Sequence, residues 1–359
     1  MPLPPISRAT PFLAAILAVV LAACGGGGSS GTTAPGSTSA AGAVPTDDTG
    51  EEPAETLAPA GERAYFSFDS TLGRVVRVDP DGGAVDEILD IDGTAYAMTF
   101  GDGALWLGMD SGTVLRVDPA GAGLVAEIAP TSSDPLFDIA QADGAVWTLH
   151  GVPGAGTALT RIDTTTNTAG EPIKAATGIS FYDVAAGDGA VWLVGTSPEK
   201  ATTLYSVDPA SGTITDKKVD MVIDAISVAD GLVWLGGTIF PNGPVGVPGV
   251  GRYDPAADTL TTVELPQEPA AIAVGAGGVW APVGASVDGS SLYRIDPATT
   301  KLVSTIPLGD AEGGTMRVTT GAGFVWVTTA GGDAYAVDPT DDSVAGAGDT
   351  PGTLGVFFP

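Results

Sequence analysis

The chain has 359 residues with 14 basic and 43 acidic side chains, and its formal net charge is −29. A surface this acidic is repelled by phosphate, which argues against nucleic acid and anionic lipid as partners of the folded part. Hydrophobic residues make up 44% of the chain, so we expect a substantial folded core rather than a disordered polypeptide.

The first element is an N-terminal leader. Arg8 is its only basic side chain, residues 12 to 23 form the apolar stretch FLAAILAVVLAA, and Cys24 follows directly. A helix needs roughly 20 apolar residues to span a bilayer, so the stretch is too short for a membrane anchor. The pattern predicts a signal peptide over residues 1–23.

Cys24 is the only cysteine in the chain, which excludes an intramolecular disulfide. The tetrad Leu21-Ala22-Ala23-Cys24 resembles the lipobox of bacterial lipoproteins. That resemblance implies that Cys24 is acylated and becomes the mature N-terminus, and that the protein is extracytoplasmic. The anchor would lie on the outer face of the plasma membrane or on a membrane bordering the periplasm. A free thiol or an intermolecular disulfide is the alternative.

Residues 25 to 60 contain no aromatic residue and almost no large aliphatic one. Such a segment buries too little apolar surface to offset its chain entropy, so we predict a disordered tether over residues 24–60. A Gly/Ser-type coil of this length has a root-mean-square span of roughly 30 to 36 Å. The membrane would then be contacted through the lipid anchor alone.

The rest of the chain, residues 61–359, is dominated by an internal repeat. Each tryptophan follows a glycine by three positions, and a Val/Ile/Tyr-Asp-Pro or Ile-Asp-Thr marker recurs between the tryptophans. The tryptophans are Trp106, Trp147, Trp192, Trp234, Trp280 and Trp326, and the marker aspartates are Asp79, Asp118, Asp163, Asp208, Asp254, Asp296 and Asp338. The repeat of about 43 residues is the length of a four-stranded propeller blade.

The sixth repeat shows the unit most clearly. Its β-branched runs at 270–274, 278–283, 291–297 and 301–308 are separated by Gly, Pro and Asp, which predicts four strands, A to D, of an antiparallel meander. No apolar positions recur at helical spacing, so a helical solenoid is disfavoured. We therefore predict an all-β, seven-bladed β-propeller of four-stranded antiparallel blades.

Strand counting predicts how the ring closes. The first repeat begins with residues 64–68 at strand B, and residues 353–358 at the C-terminus form an extra strand A. We expect the C-terminal strand to complete the first blade, residues 64 to 90, and so to remove an exposed sheet edge.

The repeats GDGALW, GDGAVW and ADGLVW, each followed by motifs such as LYRIDP, are similar to those of streptogramin (virginiamycin B) lyase-like, YVTN and NHL propellers. This resemblance covers residues 61 to 359 and identifies a blade type. It implies a range of activities, from cation-dependent lyases and lactone hydrolases of the gluconolactonase type to non-catalytic binders, because fold alone does not fix function.

Most residues of the repeat have a structural interpretation. Asp before Pro is ordinary β-turn chemistry, in which the carboxylate accepts a nearby backbone N–H. The tryptophans are expected to be core wedges between blades. Arginines two residues before the marker aspartates are expected to form ion pairs between blades; these are Arg77, Arg116, Arg161, Arg252 and Arg294.

The candidate site residues lie on the face that carries the B–C and D–A connections, because these loops are long and irregular. Asp138, Asp183 and Arg317 stand nine positions before a tryptophan, and Asp224 stands ten before one. These residues could line the channel mouth, where the carboxylates could hold Ca²⁺ or Mg²⁺ or simply be solvated. His150, the only histidine, could be a general base or a solvated loop residue.

Two functions remain open at this point. The first is a non-catalytic, monomeric module that binds a protein or glycan through the loop face. The second is a lyase or lactone hydrolase that depends on a divalent cation at the channel mouth. No nucleophilic triad, phosphate-binding loop or zinc spacing is present in the sequence.

Overall fold

The computed structural model describes residues 19–21, 64–69, 73–78, 85–120, 123–129, 134–152, 156–197, 200–217, 219–286, 289–309, 316–321, 323–329, 333–349 and 354–358. Over these ranges the secondary structure is β-strand, with no helix. The predicted lipid site at Cys24 and the predicted tether over residues 24–60 lie outside the described residues.

The strands are short, as the Gly, Pro and Asp breaks in the sequence require. The first are β1 (Val19–Leu21), β2 (Ala64–Asp69), β3 (Arg74–Val78), β4 (Val85–Asp90), β5 (Ala95–Gly101), β6 (Ala104–Met109), β7 (Val114–Asp118), β8 (Gly123–Ile128), β9 (Leu136–Ala142) and β10 (Ala145–Val152). Next come β11 (Gly156–Asp163), β12 (Thr168–Ala169), β13 (Ile173–Lys174), β14 (Ser180–Gly187), β15 (Ala190–Ser197), β16 (Lys200–Val207), β17 (Ile214–Lys217), β18 (Met221–Ala229), β19 (Leu232–Ile239) and β20 (Val247–Asp254). The last are β21 (Thr259–Glu264), β22 (Ala273–Gly275), β23 (Gly278–Ser286), β24 (Gly289–Asp296), β25 (Lys301–Gly309), β26 (Met316–Gly321), β27 (Phe324–Thr329), β28 (Asp333–Val337), β29 (Val344–Asp349) and β30 (Leu354–Phe358).

These strands form seven blades, which confirms the predicted propeller. Blade I has the order β30-β2-β3-β4, and blades II, IV, V, VI and VII are the consecutive sets β5 to β8, β14 to β17, β18 to β21, β22 to β25 and β26 to β29. Blade III runs β9-β10-β11, with β12 and β13 both pairing with β11 as its outer strand. The first strand of each set, labelled A, is the innermost.

The ring closes as strand counting predicts. Strand β30 pairs antiparallel with β2 from Ala64 opposite Phe358 to Phe68 opposite Leu354. The C-terminal strand is therefore strand A of blade I, and blade I joins the two ends of the propeller.

Strand β1 lies outside the blade pattern. It pairs parallel with β9, from Val19 opposite Ile139 to Leu21 opposite Gln141, and it also lies close to the inner strands β5 and β26. These residues belong to the predicted signal peptide, so a mature chain that begins at Cys24 lacks this strand.

The core lies between the blades. All six tryptophans are buried, with exposures of 4% or less, which confirms their expected role as wedges. Trp106 and Trp280 each stand directly opposite an arginine on the neighbouring strand, Arg116 and Arg294.

The turn aspartates have the expected structural role, whereas the expected ion pair between blades is seen for Arg294 but not for Arg116 or Arg161. The carboxylates accept backbone N–H groups two or three residues ahead, as at Asp118, Asp163, Asp208, Asp254, Asp296 and Asp338. The Arg294 guanidinium forms an ion pair of 3.0 Å with Asp342 of the next blade. Arg116 instead donates to the Thr164 carbonyl and the Asn167 side chain of the next blade.

Strand A of blade VI begins later than the sequence predicts. Strand A of blade VI is predicted over residues 270–274, but β22 spans only Ala273–Gly275. The partner strand β23 contains Pro282, which has no N–H to donate to the ladder. Ala270 still donates its N–H to the Pro282 carbonyl, so the chain stays close without forming a regular strand there.

Candidate functional site

Inner strands of several blades carry a bulge near the end where they enter from the D–A connection. The strand register shifts between Ala95 and Ala97, between Phe181 and Asp183, and between Ile223 and Ala225. A bulge adds one residue to one strand and re-aims the side chains beside it. Asp224 is the bulged residue of its strand, whereas Asp183 follows the bulge in its own strand. The two aspartates are therefore not equivalent.

Asp138 on β9 and Asp183 on β14 meet at the boundary between blades III and IV. The Asp138 carboxylate accepts the N–H of Ile139 at 2.9 Å through Oδ1 and that of Val184 at 2.7 Å through Oδ2. The two carboxyl groups lie within hydrogen-bonding reach of each other. Both side chains are fully buried in the full chain, in which β1 lies beside β9.

Burial disfavours two adjacent charges, so the pair holds a proton. Burial raises the pKa of Asp183 to about 8. Burial and the repulsion between the two carboxylates raise the pKa of Asp138 well above its ordinary value. The two backbone N–H bonds to Asp138 stabilise a carboxylate there, whereas neither oxygen of Asp183 accepts a protein hydrogen bond of good geometry. We therefore assign the charge to Asp138 and the shared proton to Asp183.

Asp224 stands apart from this pair in its electrostatics. Burial, together with the nearby charge of Glu268, raises the pKa of Asp224 to about 6. The charges of Asp183 and Asp224 both act on Tyr182, whose hydroxyl donates to the Ile223 carbonyl at 2.7 Å. The fifth sequence candidate, Arg317, lies half-buried near the start of β26 in blade VII.

The predicted metal ligands do not converge on one point. Across the described ranges, no three His, Cys, Asp or Glu side chains lie close enough together to hold a metal ion. The structure brings Asp138 to Asp183 but directs Asp224 toward Glu268. The expectation that the carboxylates are solvated is wrong for Asp138 and Asp183 in the full chain, where both side chains are fully buried.

His150 is also not a solvated loop residue. It belongs to β10, and only 3% of the residue is exposed. Its Nε2 lies 2.7 Å from the Thr148 hydroxyl, which itself donates to the Thr160 carbonyl at 3.3 Å. The carbonyl of Asp134 also lies within hydrogen-bonding reach of the ring. Burial lowers the pKa of the ring, which favours the neutral imidazole.

A polar cavity of about 860 Å³ opens on the loop face beside this histidine. We define it by Asp134, His150, Thr157, Glu171, Lys174 and Thr196. Nδ1 of His150 is buried, and both the carbonyl and the charge of Asp134 are close to the ring. The carboxylates of Asp134 and Glu171 supply acceptors at this end of the cavity.

A second cavity of about 600 Å³ adjoins the first on the side of blade IV. We call it the apolar cavity and define it by Ile173, Ile179, Phe181, Thr203, Tyr205 and Ile214. Phe181 and Tyr205 are buried in its floor, with their rings edge to face at 5.4 Å. Lys174, Ala176, Thr177 and Ile179 line both cavities.

The two cavities exist because the outer strand of blade III is broken. Its two pieces, β12 and β13, have two residues each, whereas strand D of the other blades has four or more. Pro172 lies in the break and cannot donate to the ladder of β11. The Gly170 N–H still bonds to the Arg161 carbonyl, and pairing resumes at Ile173 opposite Leu159. The chain between these points moves off the sheet and leaves a crevice toward blade IV.

Sequence reasoning placed the candidate residues on this face but did not predict these cavities. Pro172 was the available signal, since a proline inside a strand indicates a sheet edge or a break in the strand. The break lies beside His150 because of how the neighbouring D–A connections pack. Local sequence patterns do not predict that packing.

Comparison with known proteins adds no identification. No protein-family model matches the chain, and no curated protein is significantly similar to it. The likeness to streptogramin lyase-like, YVTN and NHL propellers therefore rests on the repeat motifs alone. The fold and the site together define a closed seven-bladed β-propeller with a crevice on its loop face.

In the described part of the chain, no helix is both long and apolar enough to cross a membrane.

Proposed function

We propose that this protein is a lipid-anchored extracytoplasmic β-propeller that binds a partner non-catalytically through its loop face. The observation that carries the proposal is the pair of adjoining cavities between blades III and IV, with volumes of about 860 and 600 Å³. Ligand sites are concave, with a largely preformed lining and a few converging polar groups. Irregular segments on a rigid scaffold are the usual carriers of binding.

The lipobox-like tetrad before Cys24 supports the anchoring part of the proposal. Acyl chains contribute about 0.8 kcal/mol per buried methylene, and stable anchoring takes more than one chain. The predicted tether then separates the propeller from the headgroups. This arrangement suits a module that displays a binding face to the outside.

Anchoring is tested by expressing the full chain with its own leader in a bacterial host supplied with labelled palmitate. We expect label in the wild type and none in Cys24→Ser, together with release of the variant from the membrane fraction. Equal labelling of both chains would contradict the assignment of Cys24.

Binding is tested with the mature chain carrying Cys24→Ser, probed against arrays of synthetic peptides and of glycans. Two tryptophan substitutions form a matched pair, because both alanines are exposed. Ala176→Trp fills the entrance of both cavities, whereas Ala210→Trp lies in a C–D turn on the opposite face. We expect Ala176→Trp to weaken binding at least tenfold and Ala210→Trp to leave it unchanged. Equal effects, or no binding to either array, would contradict the proposal.

The second candidate is the cation-dependent lyase or lactone hydrolase. One observation favours it: the buried pair Asp138 and Asp183 has raised pKa values, and perturbed carboxyl groups cluster at functional sites. Calorimetric titration of Ca²⁺ and Mg²⁺ into the mature chain, with an Asp138→Ala, Asp183→Ala double variant as control, tests it. Micromolar binding that the variant loses would favour this candidate, and no binding in the wild type would count against it.

A further inference from the structure

The two cavities together form one groove with different chemistry at its two ends, and we call it the III–IV groove. Its polar end is the polar cavity, and its apolar end is the apolar cavity. Because Lys174, Ala176, Thr177 and Ile179 are common to both linings, an occupant that enters one end is in direct contact with the other.

The polar end is lined by two carboxylates, those of Asp134 and Glu171, and one ammonium group, that of Lys174, so it favours a donor of hydrogen bonds that carries positive charge. The exposed Asp134 carboxylate lies near the His150 ring, which burial favours in its neutral form. Glu171 adds a second exposed carboxylate to the same lining. An ammonium or guanidinium group has only donors to offer and matches this set of acceptors.

The apolar end favours an aliphatic side chain. Ile173, Ile179 and Ile214 are each half-buried and border the opening, so an apolar group placed there would remove surface of both partners from water. Burying such a side chain contributes roughly 25 cal/mol per Å² of apolar area.

A peptide fits the groove better than a glycan. Sugar rings are commonly held on an exposed aromatic face, yet Phe181 and Tyr205, the aromatic residues of this lining, are 0% and 3% exposed. An extended peptide directs alternate side chains to one face, about 7 Å apart, which suits a groove with a charged end next to an apolar end. The net charge of −29 also attracts cationic partners at a distance.

We infer that the III–IV groove binds an extended segment of a partner protein in which a Lys or Arg residue stands two positions from an aliphatic residue, so that both side chains point to the groove. The cationic group lies beside Asp134 and Glu171, and the aliphatic group lies over Ile179 and Ile214. The inference rests on the proposed function, because it names the chemistry of the ligand for the same face.

The probe is a set of capped hexapeptides in which one central position is Lys, Arg, Gln or Glu and the position two residues later is Leu or Ser, so that both side chains share one face. They are titrated into the mature chain carrying Cys24→Ser. We expect the peptides that pair Lys or Arg with Leu to bind at least tenfold tighter than those that pair Glu with Leu. Exchange of Leu for Ser should weaken binding by a further factor of about five to ten.

Variants of the acidic residues test where the cationic side chain of the peptide binds. Glu171→Gln should weaken binding of the cationic peptides two- to fivefold, since exposed ion pairs contribute modestly. The double variant Asp134→Asn, Glu171→Gln should weaken their binding about tenfold. Glu264→Gln, an exposed glutamate on the outer strand of blade V, is the matched control and should change nothing. Raising the salt concentration should weaken the same peptides.

Failure of this inference is distinguishable from failure of the proposed function. If the protein binds glycans rather than peptides, and Ala176→Trp abolishes that binding, the peptide assignment is overturned and the loop-face function stands. Equal affinity for the Lys and Glu peptides, or a loss in Glu264→Gln as large as that in Glu171→Gln, would also overturn it. Absence of any ligand on the loop face would overturn both.

Discussion

The carboxylate of Asp138 in blade III accepts the N–H of Val184, the residue that follows Asp183 in blade IV, at 2.7 Å. This bond ties the inner strands of two blades together and places two carboxyl groups side by side in a buried position. The pair can be accommodated because one proton remains on it at neutral pH.

The first prediction concerns pH. Burial raises the pKa of Asp183 to about 8 in the folded state, whereas an unfolded aspartate titrates near 4. The folded state therefore binds more protons over this window, so the free energy of unfolding falls as the pH rises from about 4 to about 8. Thermal unfolding of the wild type at pH 5, 7 and 9 should show this decline, and a melting temperature that rises over that range would contradict it.

A matched pair of variants separates the two carboxyls. Asp183→Asn supplies a permanent donor to Asp138 and should raise the melting temperature at pH 9 relative to wild type. It should also flatten the pH dependence. Asp138→Asn should be less stable than Asp183→Asn at every pH. Each of the two Asp138 oxygens accepts one backbone N–H group, and an asparagine side chain has only one oxygen to accept them. The reverse order would mean that the proton resides on Asp138.

The second prediction concerns ring closure. Deletion of residues 353 to 359 removes strand β30, exposes the edge of β2, and breaks the link between the two ends of the propeller. The melting temperature should fall sharply, and the shortened chain should associate through the exposed edge. Deletion of residues 30 to 40 in the predicted tether is the control. A melting curve unaffected by loss of the C-terminus would show that closure does not depend on this strand.

The fold could be read from the sequence because each blade repeats the same local chemistry. The turn aspartates bond to backbone N–H groups two or three residues away, and the wedge tryptophans recur at one strand position, so neither depends on distant residues. Closure followed from counting strands. The site depended on long-range packing instead: the burial of His150 requires contacts from the D–A connection, and the bulge at Asp224 changes which way one residue points.

The third prediction concerns the contact between blades VI and VII. The guanidinium of Arg294 lies 5.0 Å from the centre of the Trp280 ring and donates to the Pro339 carbonyl at 2.8 Å and to Asp342 at 3.0 Å. Arg294→Ala should lower the free energy of unfolding by about 1 to 3 kcal/mol, since the arginine combines charged hydrogen bonds with a ring contact.

Arg161 is a matched control for that variant. Its pair with Asp163 on the same strand is 3.8 Å long, and both side chains are more than a third exposed. Such pairs contribute little in water, so Arg161→Ala should cost less than about 1 kcal/mol. Denaturant unfolding of the two variants compares them, and equal losses would show that the contact between blades adds nothing to stability.

The last prediction concerns the close approach of inner strands at Gly275. Its φ of +147° favours glycine, and a Cβ placed there would lie 2.3 Å from the Thr320 hydroxyl oxygen of blade VII. Gly275→Ala must therefore strain the backbone and also push the two inner strands apart. Gly103 has a positive φ of +70° with nothing within 4 Å of an added Cβ, so Gly103→Ala imposes backbone strain alone, of order 1 kcal/mol. In denaturant unfolding Gly275→Ala should lose at least about 1 kcal/mol more than Gly103→Ala, and adding Thr320→Ala should recover part of that difference. Equal losses in the two glycine variants would mean that the strands separate there without cost.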